Sequence, residues 1–130
     1  MSRAARTVLA LAAIAALVAS SEWSRRRRDA PAGPVAGASG LPRVVDLGAT
    51  TCVPCRKMAP ILADLKREYA GRADVVFIDV WENPEAGDSY RIRGIPTQVF
   101  FDARGQEVWR HEGFLDRPEI VARLRAMGVE

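Results

Sequence analysis

The two cysteines of this chain stand three positions apart in Cys52-Val53-Pro54-Cys55, between a strand-like run and a helix-like one. Two sulfurs within one helical turn can close a small disulfide ring and reopen it, so the pattern points to thiol-disulfide exchange. The amides of a first helical turn favour negative charge, which lowers the pKa of the leading thiol and makes Cys52 the nucleophile. Competing uses of the pair fit less well. A structural zinc site asks for four ligands, and His111 is the one histidine of the chain. Covalent haem attachment requires His directly after the second cysteine, where Arg56 stands. A purely structural disulfide across so short a loop restrains the unfolded chain weakly. No cofactor or metal is expected beyond the redox-active disulfide.

The elements that must position this pair lie downstream of a different kind of segment. The chain has 130 residues and a formal charge of +3, with 19 basic and 16 acidic side chains. Six of the basic residues are Arg3, Arg6 and Arg25 to Arg28, while Glu22 is the one acid before Asp29. From residue 29 onward 13 basic residues face 15 acidic ones, a net of −2. No electrostatic footprint for nucleic acid exists there. Between the arginines runs an uncharged stretch, Thr7 to Ser21, which as a helix would span about 22 Å against a hydrocarbon core of roughly 30 Å. Residues 1–28 therefore read as a signal peptide or N-terminal membrane anchor with a basic flank. Charge leaves its orientation open, because Arg25 to Arg28 compete with Arg3 and Arg6 under the positive-inside rule. Export or outer-face anchoring is the favoured reading, and a cytoplasmic arm is the alternative. Residues 29–42, with Pro31, Gly33, Pro34, Gly37 and Gly40, read as a Pro/Gly-rich tether.

From residue 43 to 130 strand and helix patterns alternate in one domain. Arg43 to Leu47 reads as a buried strand, followed by the cysteine turn and a helix to about Tyr69. Met58, Ile61, Leu62, Leu65 and Tyr69 share one stripe of that helix, Pro60 should kink it, and Gly71 should close it. Val75 to Asp79 is the next strand, parallel to the first. Asn83 is placed to cap a short helix with Pro84 at its first position. Thr97 to Phe101 and Glu107 to Glu112 form an antiparallel pair around Asp102 to Gly105. Asp116 and Glu119 have capping-box spacing before a last helix that buries Ile120, Val121, Leu124 and Met127, ended by Gly128. Trp81 and Trp109 read as fillers of a core edge, His111 as a surface residue, and Arg56 and Lys57 as solvated charges beside the thiols.

Asp46, Cys52-Val53-Pro54-Cys55, Pro60, Arg93-Gly94-Ile95-Pro96-Thr97 and Gly113, in this order and spacing, resemble the thioredoxin superfamily from about Val44 onward. The resemblance implies an α/β, minimal thioredoxin fold of order βαβαββα, with a central four-stranded mixed sheet flanked by helices. It implies a cis bond before Pro96, which packs beside the disulfide, and backbone pairing of Ile95 with an extended substrate segment. Thr51, Val53, Pro54, Ile95 and Thr97 would then line the substrate, and Asp46 would serve through water as acid/base for Cys55. For Asp46 a carboxylate that caps a turn is the simpler reading. The run Phe77-Ile78-Asp79-Val80-Trp81-Glu82-Asn83-Pro84 is similar to that of exported or membrane-tethered bacterial members, which are associated with cytochrome-biogenesis-type thiol transporters. Three departures matter. Thr51 replaces the usual Trp, Phe77 stands where a buried Lys faces the carboxylate, and the family's first strand and helix have no counterpart. Without that cation, burial should raise the pKa of Asp46.

The resemblance implies a monomeric thiol-disulfide oxidoreductase whose partners are oxidised proteins, with a membrane thiol transporter as electron donor. Cys52 attacks a substrate disulfide and Cys55 resolves the mixed disulfide. A disulfide reductase outside the cytoplasm is the leading function. An oxidase or isomerase on the same fold, and a non-catalytic redox-sensing module, are the alternatives.

Overall fold

The computed structural model describes residues 39–130. The segment expected to target or anchor the chain, and most of the tether, lie outside the described residues. Among the described residues no helix is long and apolar enough to cross a membrane.

Seven elements follow one another: β1 (Arg43–Gly48), α1 (Val53–Glu68), β2 (Asp74–Asp79), α2 (Pro84–Ser89), β3 (Thr97–Phe101), β4 (Glu107–Glu112) and α3 (Arg117–Ala126). The strands form one mixed sheet in the order β2-β1-β3-β4. β1 runs parallel to β2 and antiparallel to β3, and β3 runs antiparallel to β4. This is the expected βαβαββα architecture.

β1 and β3 occupy the centre of the sheet and are buried along their whole length. Their side chains alternate between two cores, as strand geometry requires. Val44 and Phe100 point to one side and meet Met58, Leu62 and Leu65 of α1 with Ile120 and Leu124 of α3. Val45, Leu47, Val99 and Phe101 point to the other side and meet Tyr90, just past α2. A sheet covered on both faces needs near-continuous apolar strands, so the polar members of the first face, Asp46 and Gln98, are exceptions that call for partners.

Local signals place the helix ends. α1 continues without interruption through Pro60. It ends at Tyr69, whose carbonyl accepts from the amides of Arg72 and Ala73, and Gly71 takes a positive φ of 77°. Asp116 caps α3 through the Glu119 amide at 3.1 Å. Asn83 occupies the cap position of α2, yet its side chain makes no capping bond to the helix. Trp81 departs from its expected place at a core edge. It is 63% exposed, because the chain turns outward immediately after β2. Trp109 does pack against the core, its ring edge-on to Phe100 and covered by the Arg123 guanidinium at 4.0 Å.

Candidate active site

The parallel β1–β2 pair and the start of β3 bring three chain segments to one end of the sheet. Gly48 closes β1 opposite Asp79 of β2, and Leu47 lies opposite Thr97. The turn preceding Thr97 therefore sits beside the turn that leads from β1 into α1.

That second turn holds the cysteines. Cys52 is the N-cap of α1 in extended conformation (φ −75°, ψ 127°), and its Sγ accepts the amide of Cys55 at 3.4 Å. The pair is joined as a disulfide with the Cα atoms 5.2 Å apart. Pro54 lies in the first turn, where the N–H it lacks would have no intrahelical acceptor. The first turn also contains no acidic residue, so the positive end of the helix acts on Cys52 without local cancellation. Cys52 is half-buried whereas Cys55 is only 3% exposed. An incoming disulfide therefore meets Cys52 first. Thr51, Val53 and Pro54 are exposed around it, Val53 at 57%.

Cys55 is seated on the sheet because Gly48 has no side chain. A Cβ at Gly48 would lie 3.1 Å from both Cys55 Sγ and Phe77 Cε2, tighter than most packed contacts, so these neighbours would have to give way slightly. Asp79 fixes the turn above. Its carboxylate accepts the amides of Thr50 at 2.9 Å, Trp81 at 2.9 Å and Glu82 at 3.3 Å. These bonds, that from Thr50 foremost, hold its carboxyl below the usual carboxylate range. Neither Gly48 nor Asp79 stands out in the sequence as a site residue. The one available signal is that both end strands flanking the cysteine turn.

On the same face of β1, two residues before Gly48, Asp46 is fully buried. Its cross-strand neighbour on β2 is Phe77 and on β3 is Gln98. Gln98 Nε2 donates to Asp46 Oδ1 at 2.7 Å and lies 3.1 Å from Met58 Sδ. Burial pushes the Asp46 carboxyl up to about 6, against a smaller lowering by the Gln98 bond. The simple turn-capping role is not the one observed, since the Thr50 amide of the turn goes to Asp79 and the Asp46 carboxyl is bonded to Gln98.

On the β3 side the Ile95–Pro96 bond is cis, Pro96 is buried and Ile95 is half-buried. The Pro96 carbonyl accepts the Gly113 amide at 2.7 Å. Thr97 is fully buried, and its hydroxyl donates to the Gly94 carbonyl at 2.7 Å. It braces the turn from inside, and its side chain presents nothing to the surface. His111 lies opposite Gln98 on β4, stacked on Trp109, with Nε2 3.2 Å from the Phe114 carbonyl. Among the described residues no group of three or more His, Cys, Asp or Glu side chains could hold a metal ion.

The raised Asp46 pKa has a consequence for stability. A carboxyl that binds its proton more tightly folded than unfolded adds stability below about pH 4, and this is lost as pH rises through about 6. From 3.8 to about 6 the difference corresponds to about 3 kcal/mol. Asp46→Asn should therefore stabilise the oxidised protein by about that amount at pH 8 and not at pH 4, measured by urea unfolding. An equal difference at both pH values would contradict the assignment.

Residues 37–126 match the family profile described as Thioredoxin. The thioredoxin of Staphylococcus aureus (strain Mu50 / ATCC 700699) is 42% identical over 78 residues, covering 60% of this chain and 74% of that protein. Among solved structures, chloroplastic thioredoxin z superposes with a TM-score of 0.63 at 38% identity, covering 74% of this chain and 87% of that one. Fasciola hepatica thioredoxin superposes with a TM-score of 0.60 at 32% identity, covering 68% and 82%. Family members exchange disulfides with oxidised proteins through a cysteine pair and need no cofactor. With its dithiol at the start of α1 and a cis-proline turn beside it, this chain belongs to the thioredoxin family and is a thiol-disulfide oxidoreductase whose redox-active pair is Cys52 and Cys55.

Proposed function

We propose that the protein is a disulfide reductase of proteins outside the cytoplasm, held to or exported across the membrane by residues 1–28. The observation that supports the exchange chemistry most directly is the asymmetry of the pair, Cys52 open at the helix start and Cys55 buried beneath it. The reduced protein attacks a substrate disulfide through the Cys52 thiolate. One substrate sulfur leaves, and Cys55 then attacks Cys52 Sγ of the mixed disulfide and displaces the second substrate sulfur, so two electrons pass from the dithiol to the substrate. Val53 is exposed next to the reacting sulfur, and half-buried Ile95 lies in the neighbouring turn before β3. The reading outside the cytoplasm rests on the uncharged run Thr7 to Ser21 and on the Pro/Gly-rich stretch that follows it. There, a membrane thiol transporter would return electrons to the pair, and the domain would act as a monomer tethered or released at the outer face.

The direction of electron flow follows from what stands between the cysteines. Strong oxidants of this chemistry stabilise their reduced thiolate, and reach about −120 mV against about −270 mV for thioredoxin. Val53-Pro54 offers no cation and no histidine to do so.

Cys55→Ser should accumulate mixed disulfides with substrate proteins on non-reducing gels, whereas Cys52→Ser should give none. Equal trapping by both would remove Cys52 as the nucleophile. Equilibration against glutathione should return a potential of about −230 mV or lower, and a value above about −170 mV would make the protein an oxidase or isomerase. A reporter that works only outside the cytoplasm, fused after Glu130, should be active. Recovery of the domain wholly in the cytosolic fraction would end both the export reading and the transporter partnership.

A further inference from the structure

Four residues in cross-strand register form one row across the α1 face of the sheet: Phe77 on β2, Asp46 on β1, Gln98 on β3 and His111 on β4. α1 covers the middle of this row. Cys55 Sγ lies over Gly48, two residues along the same face from Asp46, and Met58, one turn after Cys55, lies against the Gln98 amide. Gln98 is a fully buried amide in a strand otherwise given to Thr, Val and Phe, and its partner is a fully buried carboxyl. The hydrogen-bond accounting of this pair is incomplete in a specific way. Gln98 Nε2 serves Asp46 Oδ1, but Asp46 Oδ2 and Gln98 Oε1 are both buried acceptors with no donor. A single proton supplies what the pair lacks. An amide can also turn by half a rotation and present its oxygen where its nitrogen was.

We propose that Gln98 is a positioning residue that follows Asp46 through both protonation states, donating Nε2–H to the carboxylate and, after rotation, accepting the carboxylic acid's O–H on Oε1. In the resolving step Cys55 S–H gives its proton through water to Asp46, and the Cys55 sulfur attacks Cys52 Sγ of the mixed disulfide. The Cys52–Cys55 bond forms, the Cys52–substrate bond breaks, and the substrate sulfur leaves as a thiolate that takes its proton from solvent or from Asp46. Gln98 touches none of the reacting atoms. It holds the carboxyl in place while its charge changes. This role rests on the exchange reaction proposed above, although the amide–carboxyl pairing itself does not need turnover.

Apart from His111, the other groups facing the pair are uncharged or turned away from it. β2 presents Phe77, and Asp79 beyond it is turned to three backbone amides. α1 presents Cys55 and Met58 inward, with Arg56 and Lys57 exposed outward. α3 presents Ile120 and Leu124, with Arg123 over Trp109. β4 presents His111 next to Gln98, with its Nε2 at the Phe114 carbonyl.

The test is a titration of the oxidised full chain by NMR, following the Asp46 carboxyl carbon and the Gln98 side-chain amide together. Both should move with one midpoint. Gln98→Leu should raise the Asp46 midpoint by about one pH unit, since the bond lost to the carboxylate is stronger than the one lost to the neutral acid. The rate of product release from the mixed disulfide, which rises with pH as Asp46 ionises, should move its rising limb to higher pH by the same amount. In an Asp46→Asn background Gln98→Leu should move that profile no further. Gln98→Met, closer to the shape of the amide, provides the same comparison if the leucine variant does not fold. A Gln98 amide that stays flat through the Asp46 titration, or an Asp46 midpoint unmoved in the folded variant, would overturn the proposal. If the titrations agree and the chain nevertheless reduces no disulfide, the pairing stands and the reductase reading falls.

Discussion

The Asp79 carboxylate receives amides from two turns that are far apart in sequence, Thr50 before the cysteines and Trp81 and Glu82 after β2. A parallel pair of strands leaves its two exits side by side, and each exit has backbone N–H groups that the sheet no longer satisfies. One buried carboxylate answers three of them. The turn Ala49 to Thr51 is thereby pinned to the end of β2, and the first residue of α1 starts from a fixed point. Gly48 then allows the helix to settle until Cys55 Sγ lies against the strand.

The chemistry uses what this arrangement leaves over. A helix start next to an open edge presents one sulfur, and the same helix buries the other one turn on. The sheet contributes a carboxyl below that turn and the Ile95-Pro96 turn beside it, which Gly113, Thr97 and the exposed Arg93–Glu112 ion pair hold at its two ends. The exposed pair adds little stability, so the bracing falls on the two short backbone-directed bonds.

Element order was legible because each apolar run is bounded by a glycine, a proline or a cap, and because the α1 stripe from Met58 to Tyr69 has a clear helical period. The cysteine turn was legible from residue type and order, and the cis bond before Pro96 from the family resemblance that those residues carry. What escaped depends on register. Alternation along β3 tells that Gln98 shares a face with Phe100, but not that it lies beside Asp46, 52 positions earlier. The bond from Thr50 to Asp79 spans 29 positions and follows only once β1 and β2 are aligned. Trp81 was misplaced for a related reason, since a short turn has no period from which to read a face. Asn83 has the right residue type at a helix start, yet its side chain lies near the Asp79 carbonyl instead.

With Phe77 on one side and the Gln98 amide on the other, the buried carboxyl has a neutral hydrogen-bond partner, and this changes how the site feels its surroundings. An ammonium group reaches outward through its own field and is weakened by mobile ions wherever that field meets water, within a Debye length of about 8 Å at physiological ionic strength. The Gln98 dipole has no net charge to screen, and it is enclosed by Met58 and the sheet. The contribution of Gln98 to the proton balance at Asp46 is therefore insulated from salt.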